Sequence, residues 1–213
     1  MQILTCPAQL QRLEEILRKS LPFALPVFGA VLNINRGNPG EFEVLVDKWP
    51  EFGAVLARPS GEVASGDMGH CRRGVTLCPG TCQVCSEHPW WEVLGWDLGV
   101  LGSIVVGFGG CWEPAPGVRV GSLNPSHVDL LNDTWPHGGN ARSRRYLAKI
   151  LRRFPQVCLQ DSSGQPIAWV LTNNFGMGTH SYTLPEHRRR GHMQVALTMA
   201  AQRAHARGFP VFG

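Results

Sequence analysis

Residues 179–208 read THSYTLPEHRRRGHMQVALTMAAQRAHARG, and this stretch decides how the rest of the chain is arranged. Positions 180–184 alternate and are rich in β-formers, and Pro185 ends the strand. From Gly191 onward Met193, Val195, Ala196, Leu197, Met199 and Ala200 recur at helical spacing. A strand, a tight turn and a long helix follow one another. Arg188, Arg189 and Arg190 stand at the helix start, and Gly191 follows them. The first N–H groups of a helix have no acceptor within it, its N-terminus attracts anions, and a glycine lets a ligand approach the main chain. Cationic side chains there oppose the helix dipole, a small cost that a bound anion removes. Two readings stay open: a cradle for a pyrophosphate, or a capped amphipathic helix with a solvated basic first turn.

The charge distribution agrees with the first reading without requiring it. The chain has 213 residues, 43% apolar and 17% charged, which is globular in class and enough for one large or two small domains. Its formal charge of +4 is uneven: residues 1–118 carry 8 basic and 12 acidic side chains, residues 119–213 carry 12 and 4. A positive C-terminal half suits a polyanionic ligand; nucleic acid or an anionic membrane fits the number equally. Seven cysteines with no secretory signal ahead of them read as reduced thiols in an intracellular compartment. The most apolar run, 98–110, has about half the ~20 residues of a spanning helix and is loaded with glycine, so no transmembrane segment is expected. The amphipathic N-terminus carries Glu14 and Glu15, which an acid-poor transit peptide avoids.

Upstream, residues 8–20 predict a helix with Leu10, Leu13, Ile16 and Leu17 as its buried stripe. Strands are predicted over 28–35, 41–48 and 53–58, the first two joined by the turn Arg36-Gly37-Asn38-Pro39-Gly40, with Phe42, Val44 and Val46 sharing a face. After residue 117 the pattern predicts a strand over 118–122, a helix over 126–135 capped by Ser126, and a helix over 141–154. A hairpin of 157–160 and 166–172 turns at Asp161-Ser162-Ser163-Gly164, and residues 209–213 begin another strand. The helix over 141–154 presents Arg142, Arg144, Arg145, Lys149, Arg152 and Arg153 on one face; a solvated surface, a membrane, nucleic acid or phosphate are the options for it.

Between 71 and 117 no period fits. Glycine and proline are frequent, and Trp90, Trp91, Trp96 and Trp112 fall here, with a short helix expected around 90–94. His70, Cys71, Cys78, Cys82, Cys85 and His88 raise a zinc hypothesis, but the gaps are irregular and no strand knuckle supports them. Free thiols and no metal are the expectation.

The spacing Arg188-x-x-Gly191-x-Met193 resembles the acyl-CoA-binding signature of the GNAT superfamily, departing from it at Met193. Residues 182–191 together with Asn132-Asp133-Thr134-Trp135, Gly138-Gly139-Asn140, Ile34-Asn35-Arg36-Gly37-Asn38-Pro39 and residues 44–52 resemble the glycine N-acyltransferase family within that superfamily. The resemblance covers roughly 1–70 and 118–213. It implies an α+β fold: a GNAT-like mixed sheet flanked by helices over 118–213, a smaller N-terminal α/β half over 1–70, and an atypical segment over 71–117. As the chain stops where a fifth strand begins, an incomplete C-terminal sheet is expected.

The activity implied is transfer of an acyl group from acyl-CoA to the amino group of glycine or a similar small amine. The alternative is a catalytically impaired member that only binds CoA or a partner. Leu184, Arg188, Arg189, Arg190, Gly191, His192 and Met193 are the expected acyl-CoA contacts. No covalent intermediate is needed, so no cysteine has to be a nucleophile. The family's glutamate base matches Met177 here, a thioether that accepts no proton usefully. His180 is the nearest titratable substitute, on the opposite strand face unless a bulge intervenes; a structural histidine is the other reading. Glu186 and His187 are poorer candidates, and Trp49 and Trp135 read as packing residues. The resemblance implies a mitochondrial location, with the cytoplasm as alternative. The expected partners are acyl-CoA and the amine, with no nucleic acid, and the chain is expected to be a monomer.

Overall fold

The computed structural model describes residues 1–60, 75–77 and 113–210. The chain forms two compact units, Met1–Trp90 with Asn174–Met177, and Trp91–Asn173 with Gly178–Gly213.

In the first unit the elements are β1 (Gln2–Leu4), α1 (Pro7–Arg18), α2 (Leu25–Asn35), β2 (Phe42–Val46), β3 (Val55–Pro59) and β4 (Val75–Leu77), and the strands pair antiparallel in the order β1-β2-β3-β4. Helix α1 starts on Pro7 and buries Leu10, Leu13 and Leu17 of its predicted stripe, while Ile16 is only half-buried. Strand β2 turns Phe42, Val44 and Val46 inward, and on its other face Glu43 meets Arg58 directly opposite, at 2.7 Å. The turn before β2 is fixed by Asn38, whose side chain bonds both the N–H and the C=O of Phe42 at 2.8 Å. Asp47 does the same for the next turn: its carboxylate accepts from the N–H groups of Ala54 and Gly53, which hold it below the usual carboxylate range.

The strand expected at 28–35 is a helix. Its residues from Val27 to Asn33 are all buried, so the apolar run shows no periodicity, and such a run fits a buried helix as well as a buried strand. Pro26 in the first turn tips the choice, since its missing N–H costs nothing there. Burying Val27, Phe28, Val31 and Leu32 contributes about 1.5–3 kcal/mol each. The three residues of β1 are too few to show a period in the sequence.

Helix α2 also holds the inserted loop Asn174–Met177. The Asn33 amide donates to the carbonyl of Asn174 at 2.7 Å, Phe42 meets Phe175 edge-to-face, and a Cβ at Gly29 would run into the Phe175 carbonyl. Gly29→Ala is therefore expected to destabilise the protein by ~1–3 kcal/mol, although in a free helix the change stabilises. A urea midpoint that stays put or rises would contradict this packing.

The second unit contains β5 (Arg119–Gly121), a 3-10 turn (Pro125–His127), α3 (Val128–Thr134), α4 (Ala141–Arg153), β6 (Gln156–Gln160), β7 (Pro166–Thr172), β8 (Gly178–Thr183), a second 3-10 turn (Pro185–His187) and α5 (His192–Ala206). Its sheet is antiparallel in the order β5-β6-β7-β8. Alternation along β6 and β7 divides the core between two faces. Cys158, Trp169 and Leu171 pack with Leu131, Leu147, Ile150 and Leu151 of α3 and α4. Val157, Leu159, Ile167 and Val170 pack with Val195 and Ala196 of α5.

Every pairing among the described residues is antiparallel, in two sheets flanked by helices, and the class is α+β. Phe209 and Pro210 belong to no element, and the remainder of the expected last strand lies outside the described residues. So do the zinc hypothesis and the short helix at 90–94. Asn124, not Ser126, is the first cap after β5: its Oδ1 accepts from the Ser126 N–H at 3.0 Å, and the chain passes through a 3-10 turn before α3. Asn140 caps α4, accepting from Arg142 and Ser143 N–H at 3.0 and 2.9 Å. The Ser143 hydroxyl donates to the buried side chain of Asn132 at 2.6 Å, and Gly138 sits where a Cβ would strike the Asn132 carbonyl. The Asn132 to Asn140 block is thus a folding device that joins α3 to α4.

Candidate anion-binding site

Strand β8 and helix α5 are joined by eight residues, and their main-chain conformation makes the site. After the 3-10 turn Pro185–His187, Arg188 is extended, Arg189 is left-handed at φ 61° and Gly191 is left-handed at φ 76°. Alternating hands turn successive N–H groups toward one side, which makes a concavity for an anion. Among the described residues the N–H groups of Arg189, Arg190, Gly191, His192, Met193 and Gln194 have no hydrogen-bond acceptor; the first bond into the helix is Val195 N–H to the Gly191 carbonyl, at 3.2 Å. Arg189, Arg190, Gly191 and Gln194 are exposed. A Cβ at Gly191 would meet nothing within 4 Å, so space in front of the turn is open.

The seven expected contact residues divide by what their side chains do. Leu184 packs on the core beneath α3 and α4, and its N–H donates to Ile167 at 2.9 Å, which anchors the turn to β7. Met193 packs against the α5 side of the sheet and offers the site only its main chain. The Arg188 guanidinium turns back onto β8, donating to the Thr183 carbonyl at 3.1 Å and the Tyr182 hydroxyl at 3.2 Å, with its carbon 5.3 Å from the centre of the Tyr182 ring. It braces the turn. Arg189 and Arg190 are exposed, and among the described residues neither guanidinium has a hydrogen-bond or ion-pair partner. His192 is 3% exposed, its ring centre 6.3 Å from that of His187, and its pKa is lowered by burial, by His187 and by Arg190.

His180 lies elsewhere. The register shifts between Val170 and Leu171, which pair with Ser181 and Thr179, so His180 is the extra residue of a bulge, with φ 40°. Its ring is 5% exposed, stacked on Trp135 at 5.9 Å and edge-on to Trp169 at 6.0 Å. Because a carbonyl only accepts, the 2.7 Å contact from Nε2 to the Leu131 oxygen fixes the tautomer with the proton on Nε2. Nδ1 is then a buried lone pair with no partner among the described residues. Burial pulls the pKa down to about 4, against a smaller opposite effect of the Leu131 bond. The geometry speaks against the proton-acceptor role expected of His180: the ring is enclosed, and it would hold a proton weakly. The sequence left both a bulge and a structural histidine open, because a bulge leaves no mark in the residue pattern. Cys158 is buried with its thiol pushed up to about 12 by desolvation, unsuited to act as a nucleophile. Among the described residues no cluster of His, Cys, Asp or Glu could hold a metal ion, and no helix is long and apolar enough to cross a membrane.

The sequence profile of the family described as aralkyl acyl-CoA:amino acid N-acyltransferase matches residues 1–87 and 112–155, more than half of the chain. The chain belongs to that family. The profile passes over 88–111, within the segment read as atypical from sequence. Among individual relatives of this acyltransferase, a glycine N-acyltransferase of Bos taurus is 30% identical over 252 aligned positions, covering 95% of this chain and 85% of the relative. A glycine N-phenylacetyltransferase of Bos taurus is 28% identical, covering 97% of this chain and 86% of its own. The X-ray structure of a Drosophila protein matches with a TM-score of 0.60 at 14% identity, over 96% of this chain and 85% of that one, a likeness of fold.

Proposed function

We propose that this acyltransferase moves an acyl group from acyl-CoA to the amino group of glycine or a similar small amine, and that residues 184–193 receive the phosphates of the acyl donor. The observation that carries the reading is the run of six N–H groups, unbonded among the described residues, through two left-handed residues, with the Arg189 and Arg190 guanidinium groups beside it.

With the donor's phosphates on this turn, the thioester extends away from it while the amine attacks the carbonyl carbon. The ammonium first gives one proton to water; the nitrogen lone pair forms the new C–N bond, the nitrogen passes its second proton to water, the C–S bond breaks with its electron pair going to sulfur, and CoA leaves as a thiolate. None of this needs an enzyme nucleophile, which agrees with the inert thiol of Cys158. In this reading His180 holds the β8 bulge through Leu131 and its ring neighbours and takes no proton. The compartment proposed is the mitochondrion, by family resemblance; fractionation of cells against matrix and cytosolic markers tests it.

The activity test is release of free thiol from benzoyl-CoA that depends on added glycine. Release in the presence of glycine alone supports the reading; CoA binding without amine-dependent turnover supports the impaired alternative. Gly191→Ala separates fold from ligand. Holding a non-glycine residue in the left-handed region costs roughly 1 kcal/mol, and the added methyl enters open space, so the protein stays folded. It stands, however, where a phosphate approaches. A KM for acyl-CoA raised about tenfold, with a small fall in melting temperature, is the expected result, and an unchanged KM would remove the main chain of Gly191 from the site.

A further inference from the structure

The proposed phosphate turn contains two imidazoles that the acyl-CoA reading has not used, and any role for them in binding the donor rests on that reading. His192 is the first residue of α5, 3% exposed, with ring nitrogens that have no hydrogen-bond partner among the described residues. Its ring centre is 6.3 Å from that of His187, which stands on the 3-10 turn just before the bend. Among the described residues the charged and titratable groups acting on it are His187 and Arg190, both of which oppose a positive charge, and no carboxylate there balances them. An imidazole so placed stays neutral while the turn is empty. A phosphate against the N–H groups of 189–194, one of them His192's own, brings negative charge to the turn, and an opposite charge nearby favours the protonated ring.

We propose that the turn takes up a proton together with its phosphate anion, His192 receiving it and His187 setting how readily it does so. Binding of the donor is then coupled to pH and tightens as pH falls toward the ordinary range of histidine. After group transfer, loss of the proton favours departure of the spent carrier. By linkage, the dissociation constant changes by up to about tenfold per pH unit while one proton is taken up.

The probe is dephospho-CoA, whose diphosphate diester has no group titrating near neutrality, so any proton counted belongs to the protein. Calorimetry at pH 7 in two buffers of different ionisation enthalpy counts it. Net uptake of a sizeable fraction of a proton by the wild-type chain, abolished in His192→Asn and altered in His187→Asn, is the expected result. Binding with no uptake in the wild type, or uptake that persists in His192→Asn, overturns the inference and leaves the acyl-CoA reading standing. No binding of dephospho-CoA or CoA overturns both. Should His192→Asn fail to fold, the ring C–H resonances of the wild type replace it: a His192 shift toward the protonated form on adding dephospho-CoA supports the proposal, and an unmoved resonance overturns it.

Discussion

Replacing Arg189 and Arg190 together with alanine is expected to raise the KM for acyl-CoA by about 10- to 100-fold, with kcat and melting temperature nearly unchanged. Both side chains are exposed and without a partner among the described residues, so their removal breaks no contact that holds the fold. Alanine at 189 meets the same left-handed backbone that arginine does, so the exchange adds no strain there. What is lost is two charge-assisted contacts to phosphate, nominally ~1.5–3 kcal/mol each and less at a solvated site, about 0.7–1.4 kcal/mol apiece. Arg188→Ala supplies the contrast. Its guanidinium lies on Tyr182 and bonds the Thr183 carbonyl, so its loss is expected in stability first and in KM only as the turn loosens. Initial rates against acyl-CoA concentration, at two salt concentrations, read the difference: the wild-type KM rises with salt and that of the double variant responds less. An unchanged KM in the double variant would mean that the phosphates bind elsewhere.

The second large effect is on acid stability, through His180. Its pKa lies near 4 in the folded chain because burial disfavours the imidazolium, against about 6.5 for histidine in an unfolded chain. Above pH 6.5 both states are neutral and nothing is lost. Between pH 6.5 and 4 the unfolded chain takes a proton that the folded one refuses, so stability falls with pH by up to on the order of 3 kcal/mol; below pH 4 this group adds no further loss. Urea midpoints measured from pH 7.5 to 4 trace the slope. His180→Asn keeps a residue that tolerates a left-handed backbone and gives up the titration. It is expected to be less stable at pH 7, from lost packing on Trp135 and Trp169, and to show a flatter decline below pH 6.5. Parallel profiles for the two proteins would contradict a neutral, buried ring.

How much of this could be read from the sequence depends on whether each feature has a local signature. Helix α5, the turn before it and the hairpin of β6 and β7 were legible because Pro185, Gly191 and the Asp161 to Gly164 turn punctuate clear periodic runs. The glycine at 191 and the arginines at 188–190 suit an anion or a solvated helix start, and their pattern alone does not choose between the two. Helix α2 was misread because burial on every side erases its period, and the same chemistry serves a buried strand. The division of labour among the arginines was invisible, since nothing in three consecutive identical residues says that the first turns back onto Tyr182. Nor could the position of His180 be read, because a one-residue bulge changes the face of a side chain without changing the sequence around it. The blocks around Asn38, Asp47 and Asn132 signalled kinship, and in the structure all three fix turns. Family resemblance carried by such residues speaks for the fold first and for the chemistry only through the turn they help to place.

We propose the main chain from Arg189 to Gln194 as the receiver of the acyl donor's phosphates. Titration of the isotopically labelled protein with CoA, followed through its backbone amide resonances, addresses it most directly. Saturable shifts concentrated on the amides of 189–194 are what the account predicts. Shifts confined to another part of the chain, with those six amides unmoved at saturation, would contradict it.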